Sequence, residues 1–332
     1  MNILVTGGAG FIGSNLVEGL LADGHSVRTL DNLSTGRREN LAPFERHAQH
    51  TFYHHTVTDK AFLEPHVAWA DQVYHLAAPV GVKYIMQNPV LTVLDNIRGI
   101  DAVLELAHKY AKRTLVASTS EVYGKSLDLL DPERTRKLKE DDFRIEGSTQ
   151  NHRWAYANTK ALDEFLSFAY YKEHGTPVVV VRFFNTVGPR QSSEYGMVIP
   201  TFVSKAVRGE DVVIYGTGEQ LRSFLHVDDA IRAIRLLMGT DAALGQVFNV
   251  GNPFEITINA LAQRVVTLAE SRSAIRHISY EAAYGSGFED MNRRTADIGK
   301  LQATVPFEIE HDLDSILRDT IAYYRALTPA AV

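Results

Sequence analysis

The stretch that most constrains this 332-residue chain is its start, "MNILVTGGAGFIG". An apolar run at 2–7 reads as a strand. It leads into Gly7, Gly10 and Gly13, a G-x-x-G-x-x-G loop that opens a helical stretch at 12–23. Glycine there lets the turn take positive φ, brings backbone N–H groups against a pyrophosphate and lets helix and sheet pack closely. The second strand, "SVRTLD", ends in Asp31, about 20 residues on, where a carboxylate binds a ribose 2′-hydroxyl. A carboxylate would repel a 2′-phosphate, so NAD is expected rather than NADP. Arg37 and Arg38 come after a Ser-Thr-Gly turn and read as solvated loop charges rather than phosphate clamps.

Further strands are expected at 26–31, 51–57, 72–78, 113–119 and 177–185, with helices at 90–111 and 155–174 among the gaps. That alternation predicts an α/β fold, a Rossmann-type doubly wound parallel sheet with ligands at the carboxyl ends of its strands. The charged segment 125–150 has helix breakers and no clear period, and reads as a loop flanking the site. After about 186, Gly- and Pro-punctuated segments alternate with helices at 227–238, 257–270 and 312–326. The expected layout is an NAD-binding Rossmann domain over 1–180, to which some later segments return. A smaller, partly interleaved substrate domain then spans 181–332.

The chain has no cysteine, which excludes disulfides, thiolate catalysis and Cys-ligated metal. No metal is expected. A net charge of -6 with scattered Lys and Arg leaves no basic footprint for nucleic acid. No apolar run reaches the roughly 18 residues of a membrane helix. The chain begins at once with a strand, so no signal peptide is expected, and a cytoplasmic location is the expectation.

In "WAYANTKALDEF", Tyr156 and Lys160 stand four residues apart in a helical stretch and face the same way. A phenol is a poor base at neutral pH, and an ammonium beside it would stabilise the phenolate. The lysine would also hold the nicotinamide ribose. A Tyr-x-x-x-Lys pair alone is common, but here a glycine-rich loop and a hydroxyl-rich strand end precede it.

In order, "GGAGFIG", "HLAA", "STSEVYG", "YANTK", "RFFNTVGPR", "YGTGEQLRSFLHVDD" and "NVGNP" resemble the extended short-chain dehydrogenase/reductase family. Within it the chain is similar to the nucleotide-sugar epimerases, dehydratases and decarboxylases, over essentially its whole length. The resemblance implies oxidation of a sugar at C4 by NAD. Tyr156 would take the C4 hydroxyl proton, Thr119 would hydrogen-bond that hydroxyl, and Lys160 would support Tyr156. Phe11, Ile12, Asn32, Leu76, Ala77 and Ala78 would lie against the cofactor. The family's third strand usually ends in an Asp at the adenine amine. Here Thr56 stands at that place, so adenine is left to Thr56, the Val57 backbone or Asp59. Tyr123 has no lysine four residues on and reads as a packing residue. On the substrate side, Asn185, Arg222 and Arg294 would meet the diphosphate or sugar of a nucleoside-diphosphate sugar, expected to be UDP-linked. Val198 and Tyr215 are candidates for the base pocket. A homodimer through the Tyr-Lys helix and the helix at 90–111 is also implied.

The fate of the 4-keto sugar depends on Ser120 and Glu121. A 4,6-dehydratase usually carries an adjacent Asp-Glu pair, and Ser120 lacks the acid that would protonate a leaving hydroxyl. A uronic acid oxidised at C4 is a β-keto acid, and its decarboxylation needs groups to orient the carboxylate and a proton for C5. Ser120 and Glu121, with an arginine in "YGSGFEDMNRRTAD", resemble the UDP-glucuronate decarboxylases and UDP-xylose synthases, as does "HRWAYANTK". Decarboxylation of UDP-glucuronate is therefore favoured. C4 epimerisation of a hexose or hexuronate stays open, since "RFFNTVGPRQ" is shared with epimerases. Dehydration, or a non-catalytic dinucleotide-binding protein, is the remaining reading.

Overall fold

The computed structural model describes residues 1–79, 88–151, 154–194, 196–279 and 291–328. Most of "YGSGFEDM" and the start of "HRWAYANTK" lie outside the described residues.

Seven parallel strands make the main sheet: β1 (Asn2–Thr6), β2 (Ser26–Asp31), β3 (His50–His54), β4 (Gln72–His75), β5 (Arg113–Thr119), β6 (Val178–Phe183) and β11 (Val247–Val250). Their order is β11-β6-β5-β4-β1-β2-β3. Strand order reverses between β1 and β4, the switch point where such sheets bind ligands. Helices α1 (Phe11–Ala22), α2 (Lys60–Trp69), α3 (Pro89–Lys109) and α5 (Ala155–His174) supply the crossovers, with a short α4 (Ser126–Leu130) between them.

The central strands are buried on both faces, and their apolar residues divide by period two. Ile3, Val5, Leu115, Val179 and Val181 point into one core with Leu16 and Val17 of α1. Leu4 and Val73 point the other way, onto Leu63 and Val67 of α2 and Val103 of α3. Val116, Val178 and Val180 do the same beside Ile100 and Leu104.

The remaining strands are short: β7 (Thr186–Val187), β8 (Val212–Tyr215), β9 (Leu221–Arg222), β10 (Leu225–His226), β12 (Ile256–Thr257), β13 (Ile275–Ile278) and β14 (Arg293–Arg294). Helix α7 (Val227–Met238) returns to the main sheet, where Ile231 and Ile234 share the core of α1. A separate core gathers Ile199 and Val203 of α6 (Val198–Val207), Leu261 and Val265 of α8 (Ile258–Leu268), and Leu317 and Ile321 near the chain's end. The last two lie on α10 (Leu313–Leu327), which comes after the short α9 (Gly299–Thr304).

Each expected strand and helix is observed within a few residues, while α2, α6, α9 and the short strands are additional to those expected. Val247–Val250 joins the main sheet beside β6, although its short run lies in glycine-punctuated sequence. The 125–150 segment, expected to be loop, contains α4 and is pinned by parallel bridges from Gly124 to Ile145 and from Leu138 to Ala296.

Candidate active site

One cavity of about 730 Å³ runs along the carboxyl ends of β1, β2, β4, β5 and β6 to the second core. All the cofactor, catalytic and substrate residues singled out from the sequence line it, apart from one of three adenine candidates.

At the dinucleotide end, Gly7 has φ +73, and a Cβ there would lie 2.7 Å from the Ala77 nitrogen. No larger residue fits that cradle. Helix α1 starts after Gly10 without a side-chain cap, so its first amides are left for an anion. Asp31 is buried, and its carboxylate accepts N–H bonds from Ala9 at 3.0 Å and Leu33 at 2.8 Å. Burial raises its pKa, against the opposing pull of those two donors. The cradle, the uncapped helix and the buried acid fit a dinucleotide. Arg37 pairs with Glu194 and Arg38 with Glu45, and neither lines the cavity.

Of the three adenine candidates, Thr56 and Val57 line the cavity and Asp59 does not. Asp59 instead caps α2, accepting from the Phe62 N–H at 3.1 Å, and pairs with His55. The Thr56 hydroxyl shares a 2.9 Å hydrogen bond with Thr58.

Helix α5 brings Tyr156 and Lys160 to the cavity wall one turn apart. The ammonium expected to support the phenol has a carboxylate partner on its own helix. Lys160 Nζ donates to Asp163 Oδ2 at 2.6 Å, with both side chains buried. Burial raises the Tyr156 pKa, and the charges of Glu121 and Asp163 push it the same way. Nothing in the sequence marked Asp163 except its place three residues after Lys160, one turn along the same helix.

The hydroxyls that end β5 divide. Ser118 is buried and donates to Glu164, which takes a two-pronged ion pair from Arg182 at 2.9 and 2.7 Å. Arg182 also donates to the Tyr123 hydroxyl, which donates to Asn249 at 2.7 Å. Tyr123 is thus a core residue. Thr119 faces the cavity and its hydroxyl accepts from the Glu121 N–H at 3.3 Å.

At the substrate end, Arg294 on β14 lies 3.4 Å from the Glu121 carboxylate and donates to Asn185 Oδ1 at 2.7 Å. Asn185 in turn donates to the Ser223 carbonyl at 2.9 Å. Arg222 lines the cavity, but its guanidinium donates to the carbonyls of Leu221, Met291 and Asn292, bracing the start of β14. Arg293 is turned away, paired with Asp131 and Glu255.

A dinucleotide cradle sharing one cavity with a Tyr-Lys helix is the signature of enzymes that oxidise alcohols with a bound nicotinamide. The particular family is shown by comparison. The chain belongs to the NAD dependent epimerase/dehydratase family, matched over residues 3–251. NAD is therefore its dinucleotide. It is 37% identical to a UDP-N-acetyl-alpha-D-glucosaminuronate decarboxylase of Bacillus cytotoxicus, covering 98% of both chains. It is 36% identical to UDP-glucuronic acid decarboxylase 1 of Danio rerio, covering 97% of this chain and 72% of that one. Among solved structures, the UDP-glucose 4-epimerase of Thermotoga maritima with UDP-glucose superposes with a TM-score of 0.86 at 30% identity, covering 98% and 99%.

Proposed function

We propose that this chain decarboxylates a nucleoside-diphosphate-linked uronate, UDP-glucuronate in the first instance, through a 4-keto sugar. The observation that carries this reading is Arg294 beside Glu121 and Asn185, beyond Thr119 in the same cavity. A guanidinium there supplies the charge a sugar C6 carboxylate needs.

NAD, held by the Gly7–Gly13 loop and Asp31, would supply the hydride acceptor for C4 and the hydride donor once carbon dioxide has left. Tyr156 takes the C4 hydroxyl proton, with Thr119 hydrogen-bonding that oxygen. Once C4 is a ketone, the C5–C6 bond breaks and its electrons pass into the C4–C5 enolate. A proton then adds to C5. Glu121 and Arg294 flank that end of the cavity, where they orient the carboxylate and govern the proton at C5. Gly7, Gly10, Phe11, Ile12, Gly13, Asp31, Asn32, Thr56, Val57, Leu76, Ala77 and Ala78 form the cofactor wall. Val198 and Tyr215 face the nucleotide base, and the second core carries the substrate domain.

A 2-acetamido uronate is a second reading, supported by the full-length likeness to the Bacillus decarboxylase. C4 epimerisation is the alternative supported by the epimerase neighbour. NMR of the products from UDP-glucuronate, its 2-acetamido analogue and UDP-glucose separates them. A UDP-pentose or its acetamido form supports decarboxylation, and a UDP-hexuronate or UDP-galactose with no carbon dioxide contradicts it.

We also propose a cytoplasmic homodimer. Among the described residues no helix is long and apolar enough to cross a membrane. Val90, Leu91 and Leu94 on α3 and Leu162 and Phe165 on α5 are exposed, and α3 and α5 pack side by side. These two helices would meet their copies across a two-fold axis.

A further inference from the structure

The Tyr156–Lys160 pair has a third member. Asp163 is 1% exposed, and its Oδ2 lies 2.6 Å from Lys160 Nζ, itself buried. Its other oxygen, Oδ1, is buried with no hydrogen-bond partner among the described residues. A buried carboxylate with an unsatisfied oxygen is costly, so an ion pair built this way needs a further reason or a further partner. Tyr156, Lys160 and Asp163 stand at i, i+4 and i+7 along α5, on one face of the helix, and the Asp163 charge reaches the phenol. We propose that Asp163 is a positioning residue: it holds the Lys160 ammonium in a buried slot and offsets its charge, so that Tyr156 stays a phenol until dinucleotide ribose and substrate draw the lysine away.

The surrounding charges agree. Glu121 faces Tyr156 from the turn after β5, and Glu164 on α5 faces Asp163 but is occupied by Arg182. His75 on β4 faces Lys160 and is held neutral by burial, its pKa pushed down to about 3. From α3, Asn96 brings only an amide, bonded to the Thr92 carbonyl and Thr159. Among the titratable groups described around the pair, Lys160 is therefore the cation and Asp163 its direct counter-charge. Burial and nearby carboxylates both hold the Tyr156 proton on. Removing the Asp163 charge leaves the ammonium unopposed, which favours the phenolate and lowers the Tyr156 pKa.

This inference rests on the reading of Tyr156 as the base but not on which sugar is used. The test is the phenol titration of Tyr156 in the cofactor-free protein, by NMR of tyrosine labelled at Cζ and assigned with Tyr156→Phe. Asp163→Asn is expected to lower the Tyr156 midpoint by about one pH unit or more. Asp163→Ser is a second neutral variant with room for water, used should the Asn variant fold poorly. Asp163→Glu, which keeps the charge, is expected to titrate like the wild type. An unchanged midpoint in a folded neutral variant overturns the proposal, as does an equal shift in Asp163→Glu. Failure of the decarboxylase reading leaves these midpoints untouched, so the two outcomes are distinguishable.

Discussion

In the proposed mechanism Tyr156 carries the first chemical step, from a buried position where its proton is held tightly. Tyr156→Phe is expected to cut turnover by roughly 10²–10⁴-fold, the usual range for a positioned acid or base. NAD affinity, measured by calorimetry, should stay near that of the wild type; retained turnover would remove the phenol from the mechanism. His75 reports on the same region through stability. It is buried, shares a 2.8 Å hydrogen bond with Thr6, and its pKa falls from 6.5 to about 3 through burial first and Lys160 second. Between those two values the unfolded chain binds a proton that the folded chain does not. Stability is therefore present above pH 6.5 and lost as pH falls towards 3, at about 1.4 kcal/mol per pH unit from this group. Urea unfolding of His75→Asn across that window should show a shallower acid loss than the wild type; parallel curves would contradict it.

Among the elements, α5 ties the cavity to the main sheet. One turn presents Tyr156 and Lys160 to the cavity, and the next sends Glu164 into the sheet to bind Arg182 of β6 and Ser118 of β5. Glu164→Ala leaves the Arg182 charge buried and unpaired, a loss of about 3–5 kcal/mol. A fall in the urea midpoint measures this, and an unmoved midpoint would mean that water or another carboxylate replaces Glu164. Helices and strands with clear period were legible in the sequence, because burial on one or both faces imposes that period. The strand at Val247–Val250 was not, since a four-residue run with Gly245 and Gly251 close on either side carries too little pattern. Local capping was missed as well: Asp59 reads as a shifted adenine ligand until its bond to the Phe62 N–H is seen.

At the scale of the molecule, two cores share one cavity, and chain order alone does not say which segments return to the first sheet. The motifs named the cavity's residues well because each sits at a strand end or helix start, where turn chemistry and ligand chemistry coincide. Long-range pairing was harder to read. The sequence puts Arg293 and Arg294 side by side, and only the fold sends one to Asp131 and Glu255 and the other to Glu121. The exposed apolar face of α3 and α5 belongs to this scale too. Phe165→Glu, at a residue 65% exposed, should shift a homodimer towards monomer in sedimentation velocity. A monomeric wild type would contradict the proposed assembly.

The central claim is that the cavity oxidises C4 and then releases the C6 carboxylate beside Glu121 and Arg294. Its most direct test is UDP-glucuronate labelled with ¹³C at C6, monitored by NMR with the wild type and with Glu121→Gln. The wild type should yield labelled carbon dioxide and a UDP-pentose. In Glu121→Gln, carbon dioxide release should fall far more than NADH formation. Label that stays in a UDP-hexuronate, with the wild type active and its NAD intact, would contradict the claim.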